Sequence, residues 1–191
     1  MKPTLLVIDM QNDFFVNEEI VKQKELLVTK INELVDFAHL HHIPVVWIRQ
    51  IYKADLSNAP KHIKSSGKQL VIEDTEGSKL VDGLQKSQED YEVIKSRYSG
   101  FFKTELEQLL VNLASDTLII CGINTHACVR MTAIDAWQRD YNVIISKEAV
   151  ASYDIEHHNI TMRYFEPTIA QVKTNSEITE MMNPQVNYKL Q

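Results

Sequence analysis

The chain alternates short, unbroken apolar runs with longer stretches in which apolar residues recur at helical spacing. Residues 4–8 form the first run, rich in branched side chains, and predict a buried strand. Residues 18–42 place Leu27, Ile31, Leu34, Val35 and Ala38 on one helical face. Pro44 follows, where that helix must already have stopped. Residues 45–48 predict a second buried strand, and residues 91–94 a third that ends at Lys95. Residues 104–113 read as a helix with Thr104 as its N-cap. Residues 117–121 predict a fourth strand that stops at Gly122, and residues 126–139 a helix. Residues 142–145 predict a fifth strand, residues 155–165 a helix and residues 168–172 a sixth strand. A terminal helix over residues 176–182 takes Ser176 as its cap.

The strands are continuously apolar rather than alternating, so both faces of their sheet are expected to be covered. Strands that alternate with helices define a doubly wound α/β domain with a mainly parallel sheet. Residues 51–89 break the pattern, with Pro60, Gly67, Gly77 and Gly83 among many polar residues. Such a stretch is too polar to own a core; it reads as loops and a short helix over one end of the sheet. The expectation is therefore one domain over residues 1–191, without internal repeats.

Composition narrows the function. Apolar residues make up 44% and charged residues 24% of the 191, the balance of a folded globular chain. A net charge of -6 without a basic stripe argues against nucleic-acid binding, because phosphate contact needs clustered Lys and Arg. It fits a small-molecule ligand. No apolar run approaches the roughly 20 residues that span a bilayer, and the N-terminal run is too short for a signal-peptide core. The two cysteines, Cys121 and Cys128, make no disulfide framework. A reducing cytoplasm is the simpler setting, and there a cysteine is either core filler or a reagent.

In doubly wound sheets, ligands bind outside the carboxyl ends of the strands, at the switch point. Three polar residues meet that rule: Asp9 after the first strand, Lys95 at the end of the third, and Cys128, which the turn after Gly122 delivers to the start of a helix. Taken alone, each has an ordinary reading. A buried cysteine is usually a small hydrophobe, and Cys121, inside a strand, reads that way. Asp9 alone is a turn or cap residue, and Lys95 alone a solvated end. Their shared placement favours chemistry. A free thiol titrates near pH 8.5, roughly, and helix amides and a nearby cation are expected to lower that value for Cys128. Asp9 is then the general base, and amides of the turn form an oxyanion hole.

Other signals are weaker. No phosphate-cradling glycine pattern and no GxSxG elbow is present. His39, His41 and His42 read as helix-end residues, and His157 and His158 as helix surface. Phe14, Trp47, Tyr98, Phe101 and His126 are candidates to line a pocket. Arg49, Arg97, Arg130 and His126 are each able to hold a substrate carboxylate.

Three segments together resemble the isochorismatase-like cysteine hydrolases. Asp9-Met10-Gln11-Asn12-Asp13-Phe14 is similar to their first motif, and Ile94-Lys95-Ser96-Arg97-Tyr98-Ser99-Gly100-Phe101 to their lysine motif. Gly122-Ile123-Asn124-Thr125-His126-Ala127-Cys128-Val129 is similar to their nucleophile motif. The resemblance implies a three-layer α/β/α fold with a six-stranded parallel sheet and an Asp9–Lys95–Cys128 triad. It further implies a cis peptide between Ile123 and Asn124, with the amides of Asn124 and Cys128 directed at the oxyanion, and a homodimer or homotetramer.

Departures refine it. Nicotinamide-hydrolysing members carry an Asp-x-His metal cluster after the second strand. Here that region offers Asp55 and His62 without the spacing, so neither a metal nor another cofactor is expected. Members that cleave the vinyl ether of isochorismate lack the cysteine. The resemblance thus implies hydrolysis of a small carboxamide, carbamoyl, ureido or biuret-type compound through a thioester on Cys128. Two alternatives stand beside it: an ester or vinyl-ether hydrolase in the same pocket, and a catalytically idle binding protein on the same fold.

Overall fold

The structure is a computed structural model and describes residues 1–182. Its frame is a six-stranded sheet in the order β3-β2-β1-β4-β5-β6, every neighbouring pair parallel. The strands are β1 (Pro3–Ile8), β2 (Val45–Gln50), β3 (Tyr91–Lys95), β4 (Thr117–Ile123), β5 (Asn142–Ala151) and β6 (Gln171–Lys173). The helices are α1 (Glu18–Val21), α2 (Lys24–Leu40), α3 (Lys61–Ser66), α4 (Leu106–Asn112), α5 (Arg130–Trp137), α6 (Ile155–Phe165) and α7 (Asn175–Met182).

Strand alternation divides the core into two layers. Leu5 and Val7 of β1, with Ile119 and Cys121 of β4, face α2 and α7 through Leu27, Ile31, Leu34 and Ile178. Leu6, Ile8, Leu118 and Ile120 face the other way, onto Leu106, Leu110, Ala133, Ala136 and Phe165 of α4, α5 and α6. This is the three-layer arrangement that the apolar strands require. A third, smaller cluster of Tyr52, Leu56, Ala59, Ile63, Val71 and Ile72 lies within the irregular 51–89 stretch, around α3. No helix among the described residues is long and apolar enough to cross a membrane.

Several boundaries differ from expectation. The helix expected over residues 18–42 is two: α1 ends, and Gln23, at the N-cap of α2, turns its side chain back to the Glu19 carbonyl at 2.8 Å. Helix α4 starts at Leu106 rather than at residue 104, because the Thr104 hydroxyl donates to the Gly100 carbonyl and accepts from Leu106 N. β4 runs through Gly122 to Ile123, and β5 continues to Ala151 past the polar residues Ser146, Lys147 and Glu148, across a register shift. β6 begins only at Gln171, since the Ile169 and Ala170 amides both close on the Phe165 carbonyl. α7 is capped by Thr174, not Ser176. Thr174 Oγ1 accepts from Glu177 N, and Glu177 accepts from Thr174 N at 2.7 Å, a reciprocal capping box.

Candidate active site

The strand order reverses between β1 and β4, which makes their carboxyl ends the switch point. Asp9 directly follows β1 there. Its φ of 53° is left-handed, a conformation that Asp tolerates better than most residues. Gln11 holds this end of the chain in place: its amide nitrogen donates to the Gln50 and Ser78 carbonyls at 2.9 Å, and its oxygen accepts from Gln50 N. Asp13 reaches further and accepts from Val71 N at 2.6 Å. The first motif thus pins the 70–80 region over the sheet end.

Gly122 permits the close approach of β4 to β1. Its φ is +108°, and a Cβ there would sit 2.1 Å from the Ile8 carbonyl oxygen. The Ile123–Asn124 peptide that follows is cis. A single π-helical turn, Thr125–Val129, leads into α5 and carries Cys128. The Asn124 carbonyl accepts from Ala127 N and Val129 N. The Thr125 hydroxyl donates to the Ala151 carbonyl at 3.0 Å, so it accepts from His158 Nδ1 at 2.9 Å. The Thr132 hydroxyl donates to the Cys128 carbonyl at 2.7 Å and accepts from Gly100 N at 3.0 Å. It ties the nucleophile turn to the segment after Lys95.

Lys95 comes from β3, two strands from β1, a span of roughly 10 Å. Its extended side chain crosses the end of β2. There Nζ lies 2.7 Å from Asp9 Oδ2, 3.2 Å from Gln50 Oε1, 3.0 Å from the Arg97 carbonyl and 3.4 Å from Cys128 Sγ. The structure therefore brings all three strand-end residues together, with Gln50 as a fourth member. The Asp9 and Lys95 side chains are 1% and 0% exposed, so their charges meet without solvent between them. Asp9 Oδ1 is sealed and has no partner among the described residues.

The electrostatics follow from that burial. Burial raises the Asp9 pKa above its ordinary 3.8, against the pull of Lys95 and Cys128. Burial pulls the Lys95 ammonium down, but Asp9 and Cys128 together outweigh it and leave the pKa above 10.5. For Cys128 the outcome is the reverse of the expectation from sequence. Burial and the Asp9 charge push the thiol well above its usual range, and Lys95 only partly compensates. The thiol is neutral at rest.

The pocket candidates separate. Trp47 is core: it is fully buried, and its Nε1 donates to Asp90 at 2.8 Å. Phe101 is core as well, packed beneath the Arg139 guanidinium. Phe14 packs between the first and third clusters. Tyr98 is half-exposed, and its phenol is raised by burial and by Cys128 nearby. His126 bonds Ser152 Oγ at 2.7 Å and meets Tyr153 edge-on. Burial lowers the His126 pKa, so it is neutral at pH 7. His158 is not surface but a half-buried partner of Thr125, its pKa also lowered by burial. Among the arginines, Arg49 is engaged by Glu92 and Ser78, and Arg130 stacks on Tyr164. Tyr52, a buried neighbour of the site, carries no mark in the sequence because it stands in an irregular stretch.

Asp55 caps its own turn by accepting from Ser57 N, and His62 is exposed on α3. Among the described residues no group of three or more His, Cys, Asp or Glu is placed to hold a metal ion. An open groove of about 500 Å³ is lined instead by Lys30, Glu33, Glu148 and Asn175, none of them a residue of this site. Those groups bond one another and fasten α7 to α2.

The three-layer α/β/α fold matches that of solved isochorismatase-like hydrolases. Residues 3–177 match the model of the isochorismatase domain, and the chain belongs to that family. A probable inactive nicotinamidase of Arabidopsis thaliana is 37% identical over 162 residues, which are 81% of this chain and 83% of the relative. The crystal structure of an isochorismatase family protein from Desulfovibrio vulgaris superposes with a TM-score of 0.86 at 26% identity, covering 95% of this chain and 98% of that one. N-carbamoylsarcosine amidase from Thermoplasma acidophilum gives a TM-score of 0.77 at 29% identity, covering 92% of this chain and 97% of that one.

Proposed function

We propose that this protein is a cysteine hydrolase that cleaves a C–N bond of a small carboxamide, carbamoyl or ureido compound. The observation that carries the reading is the sealed contact of Asp9, Lys95 and Cys128 at the switch point. The similarity to N-carbamoylsarcosine amidase supports the bond type.

A carboxylate with a raised pKa is a stronger base than a solvated one, and Asp9 Oδ1 is free to accept. Asp9 takes the proton of Cys128 as Sγ attacks the substrate carbonyl carbon. The developing thiolate is stabilised by the Lys95 ammonium 3.4 Å away, so no standing thiolate is needed. The amides of Asn124 and Cys128 hold the oxyanion of the tetrahedral intermediate. Its collapse breaks the C–N bond, and Asp9 returns the proton to the departing amine or ammonia. Water then attacks the thioester; Asp9 takes its proton and passes it to the leaving sulfur. The products are the acid, or carbon dioxide and amine from a carbamoyl group, and the free thiol. A homo-oligomer in the cytoplasm is part of the same reading.

The test is ammonia release across a panel of small amides and ureas, with Cys128→Ala and Asp9→Asn as controls. Release by the parent chain and none by Cys128→Ala supports the reading. Turnover that survives Cys128→Ala sinks the mechanism. Acid formed without ammonia selects an ester or vinyl-ether substrate, and no turnover across amides, ureas and esters selects the idle binding protein.

A further inference from the structure

The π-helical turn Thr125–Val129 that carries Cys128 is a single turn. One turn fixes several backbone angles for few internal bonds, so its shape must be imposed from outside. The junction of β5 and α6 does this. Asn124 Oδ1 accepts from Tyr153 N at 3.4 Å, the Thr125 hydroxyl donates to the Ala151 carbonyl at 3.0 Å, and His126 Nδ1 bonds Ser152 Oγ at 2.7 Å. Three consecutive residues at the head of the turn are thus stitched to three consecutive residues at the end of β5.

The Ser152 hydroxyl also accepts from Asp154 N, and the Asp154 side chain caps α6 by accepting from His157 N at 2.9 Å. Helix α6 then packs on the turn. His158, Thr161 and Phe165 share one of its faces, and Thr161 and Phe165 are fully buried there. From that face His158 Nδ1 reaches Thr125 Oγ1 at 2.9 Å. Burial and the neighbouring His126 lower the His158 pKa, so the ring is neutral at pH 7 and carries one N–H. The Thr125 proton is committed to Ala151, which puts that N–H on Nδ1 and leaves Nε2 bare. Thr125 is itself fully buried, and its two bonds fix the side chain between β5 and α6.

We propose that His158 is a positioning residue: through Thr125 it holds the turn that sets Cys128 Sγ against Asp9 and Lys95. Its ring bonds Thr125, not Asp9, Lys95 or Cys128, so it acts on the reacting atoms only through the turn. The role needs a donor at the place of Nδ1 and nothing at Nε2. An asparagine amide nitrogen stands as many bonds from the backbone as histidine Nδ1, and a glutamine amide nitrogen stands one bond further out. His158→Asn is therefore expected to keep what His158→Gln and His158→Ala lose.

This assignment rests on the proposed acyl-transfer site, and its first test needs no substrate. In the chain labelled with nitrogen-15 at histidine, the His158 ring signals, identified by their loss in His158→Asn, should show Nδ1 protonated and Nε2 bare near neutral pH. The opposite tautomer overturns the assignment. On an amide that the parent chain turns over, His158→Ala and His158→Gln lower kcat per folded molecule by about tenfold with KM nearly unchanged, while His158→Asn stays within about threefold of the parent. Thr125→Val breaks the same chain of bonds from the other end, so adding His158→Ala to it costs little more; this pair serves if a single His158 variant fails to fold. Undiminished kcat in His158→Ala, or equal losses in His158→Asn and His158→Gln, overturns the role. If no amide or urea is turned over, the amidase reading has failed by itself, and alkylation of Cys128 by iodoacetamide carries the same comparison, with the sealed Cys121 as internal control. His158→Asn should then match the parent rate while His158→Ala and His158→Gln depart from it together, and one rate for all four chains overturns the positioning role.

Discussion

Lys95 Nζ and Asp9 Oδ2 lie 2.7 Å apart with both side chains sealed from solvent, although the two residues start from strands that β2 separates. A buried pair of this kind is held by mutual need. Removing one partner leaves an uncompensated charge, whereas removing both leaves none. Lys95→Met is therefore expected to destabilise the fold by about 3–5 kcal/mol. The double variant Asp9→Asn/Lys95→Met should lose clearly less than the sum of the two singles. Urea unfolding of the four chains measures the coupling, and additive losses contradict the pair's isolation from water.

The raised Asp9 pKa fixes the acid side of the activity profile. Asp9 acts as a base only when ionised, so kcat/KM should fall as pH drops through its pKa, and that limb should lie above 3.8. Lys95 has the opposite linkage. Its folded-state pKa exceeds 10.5, so its contribution to stability is complete below pH 10.5 and is lost as pH rises through the folded value. A pH–rate profile together with melting curves between pH 9 and 12, roughly, checks both limbs. An acid limb at or below the ordinary aspartate value would falsify the role of burial.

Gly122 carries a structural prediction. With φ at +108° and the Ile8 oxygen 2.1 Å from where a Cβ would stand, Gly122→Ala has no strain-free solution. The β1–β4 contact that juxtaposes Asp9 and Cys128 must open. A loss of about 3 kcal/mol or more, read by thermal or urea unfolding, is expected, along with loss of activity.

Thr132 links two motifs through one hydroxyl. Thr132→Val preserves shape but leaves the buried Gly100 N–H without an acceptor, at about 1–3 kcal/mol. Because it also frees the Cys128 carbonyl, kcat should fall by about tenfold with KM nearly unchanged. Steady-state kinetics separates this from simple destabilisation, which lowers the active fraction and leaves turnover per folded molecule intact.

Much of this molecule is readable from its residues, and the exceptions have causes. The runs at Leu5–Ile8 and Leu118–Cys121 announce central strands because both of their faces are buried. The second half of β5 is hidden, since Ser146 is polar yet buried, its hydroxyl bonded to Ala149 N and to Asn175, a contact 29 residues away. Residues 168–170 look like a strand but close a turn on Phe165. At the site, Asp9, Lys95 and Cys128 stand out because strand ends are where doubly wound sheets place chemistry. Gln50 does not, because nothing local marks a residue whose role comes from a lysine one strand over. Trp47 and Phe101 share the aromatic character of a pocket wall, and only packing shows that they are core. The thiol's raised pKa also escapes sequence: the lysine and the turn are visible there, and the absence of water is not.

In the proposed mechanism Cys128 carries the acyl group during turnover. Rapid acid quench of the chain with a turned-over amide, followed by intact-mass measurement and peptide mapping, looks for that group directly. The expected result is a mass gain equal to substrate minus ammonia or amine on the peptide that contains Cys128, absent from Cys128→Ala. Undiminished turnover in Cys128→Ala, or an adduct that maps to another residue, contradicts it.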